Sequence, residues 1–385
     1  MFSFKASNKE LEGANRAMIK RLYVHNYRCF ENFELVLDKR PSTLLVGRNG
    51  SGKSTVGSVL EIFQSIARGK SIVVQLVSRL DFTQGRTETP MKFEIEVELL
   101  GQIYSYSLEL DLPEGFTELS VADESLEVDG KTIFSRKGDL VFMGAKSKEL
   151  PSIPFLPLTV ALPYLQKLSE TDPAHILTTW LARMVIISPI PALIKSESSV
   201  ESLSPKKSLS NLGEWFSGLV TTWPAAYSTI AKYIRSVMPD FKSIQNPSTG
   251  LDSRRLFVQF AEGNALLDVP FGSLSDGEKC FFICAMVMAA NESYGPIFCF
   301  WDEPDNYLSI SEVGHFVMAL RRAFKNSGQL FMISHNGEAI NKFSSENTLF
   351  IDRKSHLFPP NARLVEDMNL EGDFVTSLIL NDVEL

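Results

Sequence analysis

The sequence predicts an α/β fold in which a mostly parallel sheet carries a phosphate-binding loop, with a β-rich subdomain and a helical insert attached. Three observations predict it. Residues 47–55 read Gly-Arg-Asn-Gly-Ser-Gly-Lys-Ser-Thr, so Gly47, Gly52, Lys53 and Ser54 satisfy G-x-x-x-x-G-K-[ST] at every fixed position. Residues 296–301 are wholly apolar and end in Asp302-Glu303-Pro304, as a buried strand does when it delivers carboxylates at its carboxyl end. Residues 92–99 alternate apolar and charged positions without exception, the pattern of an antiparallel strand with one wet face.

The elements follow in order. Residues up to about 17 lack periodicity and are expected to be a frayed end. Leu22 and Val24, then Phe33, Leu35 and Leu37, read as two strands ahead of the loop. The run at 43–46 predicts a short buried strand, and Val56, Val59, Leu60 and Phe63 recur at helical spacing behind the loop. Gly101 breaks the alternation that Tyr104, Tyr106, Leu108 and Leu110 resume, which makes a hairpin. Asp129-Gly130 marks a second hairpin turn. Residues 151–245 read as helical pieces broken by proline, at 158–168, 175–187 and 212–237. Between them the serine-rich stretch 195–210 is expected to be a mobile loop. Residues 256–260 read as a strand, and strands then alternate with helices. Three parts result: an N-terminal lobe at 19–150, a helical insert at 151–245 and a C-terminal lobe at 246–385.

Composition limits the function classes. The 385 residues leave room for one large or two modest domains, and 44% hydrophobic with 22% charged residues is ordinary for a soluble globular chain. A net charge of −8 gives no general nucleic-acid footprint. Lys20, Arg21 and Arg28 form a local basic cluster that a solvated charged edge explains better than a DNA contact. Cys29, Cys280, Cys284 and Cys299 contain no C-x-x-C pair, and Cys280 and Cys284, one helical turn apart in an apolar stretch, read as buried free thiols. With no signal peptide, this points to the cytoplasm. The longest apolar stretches, such as 281–290, fall short of the ~20 residues a membrane helix needs.

The motifs carry the chemistry. Glycines let the loop curl, so that the backbone amides of 47–55, including Asn49, Gly50, Ser51 and Thr55, can converge on a phosphate at a helix N-terminus. Lys53 would reach the β- and γ-phosphates and Ser54 would hold Mg²⁺. Asp302 would join the Mg²⁺ shell, and Glu303 would accept a proton from the attacking water. A second strand, 329–333, ends at Ser334-His335. His335 either bonds the γ-phosphate or the water, or is a satisfied polar residue before Asn336-Gly337. Leu274-Ser275-Asp276-Gly277-Glu278-Lys279 precedes a long apolar helix. Ser275 and Glu278 fit a capping box, while the bare Gly277 in a first helical turn also makes an anion site. Two phosphate-binding surfaces in one chain suggest that they meet across a dimer.

Together these motifs resemble the ABC-type ATPase heads of the SMC/RecF/OLD group. Residues 274–279 resemble the Leu-Ser-x-Gly signature, Asp302-Glu303-Pro304 the Walker B strand end, residues 305–309 the D-loop, and His335 the switch histidine. Residues 24–33 are similar to the opening strand-turn-strand of these heads. The resemblance implies ATP and Mg²⁺ as ligands, and a head-to-tail dimer with each ATP between one Lys53 loop and the other chain's Ser275–Gly277 segment. It implies Gln84 as the metal-side Q-loop glutamine, with Gln75 the rival. The short insert resembles ATPases of anti-phage operons, implying a separate effector such as a nuclease or toxin. The alternative is a DNA-binding repair ATPase of the RecF type; a transporter subunit fits less well. The sequence departs from the pattern at Asp276, where transporters carry glycine, and at Ser309, where aspartate often ends the D-loop.

Overall fold

The computed structural model describes residues 17–144, 152–165, 169–250 and 252–368. The expected frayed end, the join at 150–151 and the last part of the C-terminal lobe lie outside them. Strands β1 (Met18–His25) and β2 (Phe33–Val36) pair antiparallel and precede β3 (Ser42–Gly47), whose six residues are all buried. Helix α1 (Lys53–Ala67) follows the glycine loop. The alternating segments become β4 (Met91–Leu99), β5 (Gln102–Asp111), β6 (Ser120–Val128) and β7 (Lys131–Lys137), then β8 (Leu140–Met143) and β9 (Ser152–Pro154). They build an eight-stranded antiparallel sheet in the order β2-β1-β4-β5-β6-β7-β8-β9. At the turn of the β6/β7 hairpin, Asp129 and Gly130 both adopt left-handed φ, 49° and 75°, matching the twist of the flanking strands as the Asp-Gly pair predicts.

The second layer comprises α2 (Leu162–Leu165), α3 (Pro173–Ala182), β10 (Val185–Ile187), β11 (Glu197–Ser198), α4 (Leu212–Thr222) and α5 (Ala225–Val237). A small sheet of β12 (Phe241–Gln245), β14 (Phe257–Glu262) and β15 (Ala265–Pro270) follows, while β13 (Arg254–Arg255) pairs with β11. The chain continues through α6 (Asp276–Tyr294), β16 (Phe298–Asp302), α7 (Ile310–Phe324), β17 (Gln329–Ile333), α8 (Gly337–Asn341), β18 (Thr348–Asp352) and β19 (Asn361–Leu364). The central sheet runs β10-β16-β17-β3-β18-β19, parallel except for β19. The glycine-loop strand therefore sits inside the sheet, with both carboxylate- and histidine-bearing strands on one side of it.

Two cores flank that sheet. On one side α1 buries Val56, Val59, Leu60 and Phe63 against the antiparallel sheet, with Phe63 edge-on to Tyr106. Gly57 lets α1 approach β16: a Cβ there would stand 2.6 Å from Phe300 Cε1. On the other side α4 to α7 pack Trp215, Phe282, Trp301 and Phe316 together. Helix α6 is apolar around most of its circumference because it is buried in that core, as such helices must be.

A buried polar network fixes the approach to α2. Glu124 and Arg136 are 0% and 1% exposed. Glu124 accepts from Tyr106 Oη at 2.9 Å and from the Ala161 and Leu162 amides at 2.7 and 2.8 Å. Arg136 donates to the Gly138 and Leu156 carbonyls at 2.7 and 2.9 Å. Burial favours the neutral carboxyl and pushes the pKa of Glu124 up.

Two expectations need correction. The helix expected over 175–187 ends at Ala182, and Val185–Ile187 is an edge strand of the central sheet, paired with residues 299–301 of β16. Three consecutive branched, wholly buried residues favour the pleated sheet. The serine-rich stretch is tethered instead of loose. Gly213 donates to the Lys195 carbonyl at 3.0 Å, and Ser188 donates to the Lys207 carbonyl at 2.8 Å. Gly213 and Gly218 bring α4 so close that a Cβ on either would lie 2.5 Å from a carbonyl oxygen of Ser196 or Ser202.

Candidate functional site

The glycine loop is built by close approach on two sides. A Cβ on Gly47 would lie 2.0 Å from the Ile351 carbonyl oxygen, so only glycine lets the loop leave β3 beside β18. Gly50 and Gly52 have φ of 76° and 106°, which side chains other than glycine's resist. A Cβ on Gly52 would meet Cys29 Sγ at 2.9 Å. The Ser51 hydroxyl is buried and has no partner among the described residues, and Asn49 and Gly50 are exposed at the mouth. These are the features of a cradle shaped for an anion.

Lys53 bends back over the loop, its ammonium donating to the Gly47 and Arg48 carbonyls at 2.8 Å each. Burial lowers its pKa, opposed by the charges of Glu303 and Asp302. The Asp302 carboxylate, 8% exposed at the end of β16, faces the Ser54 hydroxyl. Burial raises the pKa of Asp302, and the neighbouring Ser54 hydroxyl acts against it. A hydroxyl beside a carboxylate offers hard oxygen donors, so the pair suits Mg²⁺, which takes few protein ligands beside substrate phosphates. Among the described residues no group of three or more His, Cys, Asp and Glu side chains could hold a metal, so a richer ligand set is not offered.

Glu303 is the turning point. It adopts a left-handed φ of 53°, and its amide donates to the Ile333 carbonyl at 3.0 Å, locking the end of β16 to that of β17. Its carboxylate accepts from Asn306 Nδ2 at 2.6 Å and lies 3.6 Å from His335 Nε2. Burial and the nearby Lys53 charge push the pKa of His335 down, with Glu303 opposing. Behind them, Ser334 donates to the buried Asp305 carboxylate at 2.9 Å, bracing the two strand ends against each other. Ser309, where aspartate was expected, caps α7 through a box with Glu312.

Lys53, Ser54, Glu303 and His335 line one open cleft of about 360 Å³ that also contains Arg28, Cys29 and Arg353. Sequence reasoning had set Arg28 aside as a charged edge and had not considered Arg353. Arg353 could have been found by the strand-end argument, since it follows the buried β18 as Glu303 follows β16. The rest of the basic cluster is an edge as expected: Lys20 pairs with Asp38 and Glu98 at 3.1 and 3.2 Å, and Arg21 with Glu34 and Glu94.

Gly47, Ser51 and Asp302 sit behind that lining in the same loop and strand end, and Ser275, Gly277 and Gln84 are not part of it either. Ser275 is exposed; its hydroxyl accepts from the Glu278 amide at 3.2 Å and its own amide donates to the Glu278 carboxylate at 2.7 Å, completing the capping box. Gly277 admits the Tyr307 carbonyl oxygen, which a Cβ would meet at 3.0 Å. Gln84, with a left-handed φ of 54°, donates its amide to the Leu357 carbonyl at 3.1 Å; Gln75 is exposed.

Residues 18–172 match the family model described as an AAA ATPase domain. No curated protein matches the chain. Among solved structures it is similar to an SMC head bound to the C-winged helix domain of ScpA, with 15% identity, 90% of this chain and 96% of that one covered, and a TM-score of 0.52. It is also similar to an SMC head with an extended coiled coil bound to the C-terminal domain of ScpA, derived from Pyrococcus furiosus. There the identity is 12%, the coverage 96% and 100%, and the TM-score 0.52. The chain thus has the phosphate-loop fold of an SMC-type ATPase head, as its motifs implied. Among the described residues no helix is long and apolar enough to cross a membrane.

Proposed function

We propose that this chain binds and hydrolyses ATP, and that two copies close head to tail around two nucleotides, each between one Lys53 loop and the other copy's Ser275–Gly277 turn. The observation that carries the reading is the division of labour in the cleft. Lys53, Ser54, Glu303 and His335 line it together, while Ser275 and Gly277 do not, so the site lacks its second phosphate-binding surface within one chain.

Ser54 and Asp302 would hold Mg²⁺, whose positive charge would offset the negative charge that develops on the phosphate in the reaction. The loop amides and Lys53 would hold the phosphates in line. Glu303, kept in place by Asn306, would take the proton of the attacking water. His335, neutral because its pKa is depressed, would hold that water or the γ-phosphate by a hydrogen bond. Since only the closed pair would make all contacts to the γ-phosphate, ATP would favour closure and hydrolysis would reverse it.

For the output we propose a separate effector protein, such as the nuclease or toxin of an anti-phage operon implied by the sequence resemblance. The SMC heads it resembles in fold are likewise bound to domains of a separate protein, ScpA. The DNA-repair alternative has less support, because Lys20 and Arg21 are already neutralised by carboxylates. The test is the mass of Glu303→Gln in solution with and without ATP. An ATP-dependent shift from monomer to dimer is expected; a mass independent of ATP would overturn the dimer.

A further inference from the structure

We propose that Arg353 is a phosphate-binding residue of the nucleotide site and that Gln84 positions it. The inference rests on the nucleotide reading above and adds a contact that none of the motifs contains.

Arg353 follows the carboxyl end of β18, the strand that pairs with the glycine-loop strand on the side away from β17. It reaches the cleft from the opposite flank to Glu303 and His335. Its Nη2 lies over the turn of the loop, 3.4 Å from where a Gly50 Cβ would be, and it lines the same cleft as Lys53 and Ser54. Among the described residues it makes no hydrogen bond or ion pair, although it is half-buried. The other cleft cations differ. Lys53 donates to two loop carbonyls, and Arg28 is held by Asp81 at 2.9 Å and Ser58 at 2.9 Å. A half-buried guanidinium without an anion, at the rim of a phosphate cradle, lacks the partner that such groups ordinarily have. A nucleotide phosphate supplies one, in the planar geometry that arginine matches better than lysine.

The loop that carries Arg353 is tied down at its far side. Gln84 is exposed and its own backbone is strained into the left-handed region, yet its amide reaches the Leu357 carbonyl 273 residues away in sequence. That single bond joins the segment after β18 to the segment ahead of β4, so Gln84 acts on the nucleotide through the Arg353 loop.

Binding of a fluorescent ATP analogue to the full chain tests this. Arg353→Ala should weaken binding about ten-fold or more, the loss of one charge-assisted hydrogen bond. It should leave the melting temperature without nucleotide unchanged and shrink the stabilisation that ATP confers. Arg353→Lys should restore part of the affinity. Gln84→Leu should raise KM a few-fold with kcat preserved. Wild-type affinity in Arg353→Ala, beside lost binding in Lys53→Ala, would overturn this inference and leave the nucleotide reading intact. Absence of ATP binding by the wild-type chain would overturn both.

Discussion

The glycine-loop cleft and the Ser275 turn are both helix N-termini, yet they are finished differently. At α6 the capping box satisfies the first-turn amides from within: Ser275 and Glu278 exchange bonds at 3.2 and 2.7 Å, and the turn is exposed. At α1 no side chain caps the helix. The Ser51 hydroxyl has no partner among the described residues, Lys53 is folded onto backbone carbonyls, and four strand ends supply Gly47, Asp302, His335 and Arg353. The first end is stable as it stands, and the second is arranged around something absent from the chain. The contrast teaches that α6 is complete within itself, whereas the loop before α1 keeps polar groups that, in the proposed reading, a phosphate would satisfy.

The comparison breaks most readily at Lys53. Lys53→Ala should cost about a hundred-fold in ATP affinity, since a buried ammonium bonded to phosphate is among the stronger single contacts. Calorimetric titration checks it, and retained affinity would mean that α1 is not the primary anion site. Next is Glu303→Gln, which keeps the shape of the strand end and removes the base. Turnover should fall about 10²- to 10⁴-fold while ATP binding persists. Phosphate release measured beside binding separates the two, and wild-type turnover would remove Glu303 from the chemistry.

Legibility in the sequence follows how local each feature is. The loop, the Asp302-Glu303 strand end and the Ser275 cap are each written within six or nine consecutive residues, although the loop also leans on Ile351 and Cys29 and the strand end on Ile333. The antiparallel sheet was legible because Phe93, Ile95 and Val97 alternate with glutamates. Val185–Ile187 was not, since three apolar residues directly after a helix carry no period of their own and take strand form only by pairing with β16. The bond from Gln84 to Leu357 was hidden for a different reason: it joins segments 273 residues apart, which no local pattern encodes.

Smaller effects sharpen the other half of the comparison. Ser275→Arg places a long cation where the second chain's nucleotide should arrive. Dimer formation by the Glu303→Gln background should be lost, with single-chain ATP affinity unchanged. Ser275→Ala is the control: it removes the cap, costing about 1 kcal/mol of stability, and leaves the surface open. If Ser275→Ala abolished the dimer as fully as Ser275→Arg, helix stability and not steric access would govern closure.

The smallest effect concerns His335, through pH. Burial and the Lys53 charge depress its folded pKa below the ordinary value of about 6.5, so the unfolded chain takes up the proton first as pH falls. The stability due to the neutral imidazole is therefore complete above about 6.5 and is lost as pH falls through the lower, folded pKa. The side chain is 38% exposed, so solvent screening keeps this contribution small. Catalysis is the more sensitive readout, because kcat/KM follows the ionisation of the free enzyme. It should decline a few-fold on the acid side of about 6.5 as the imidazole ceases to accept a hydrogen bond. His335→Asn should flatten that limb while lowering the plateau. If the limb survives in His335→Asn, the titrating group is another, and the first to test is Asp302, whose raised pKa places its protonation above the ordinary aspartate range.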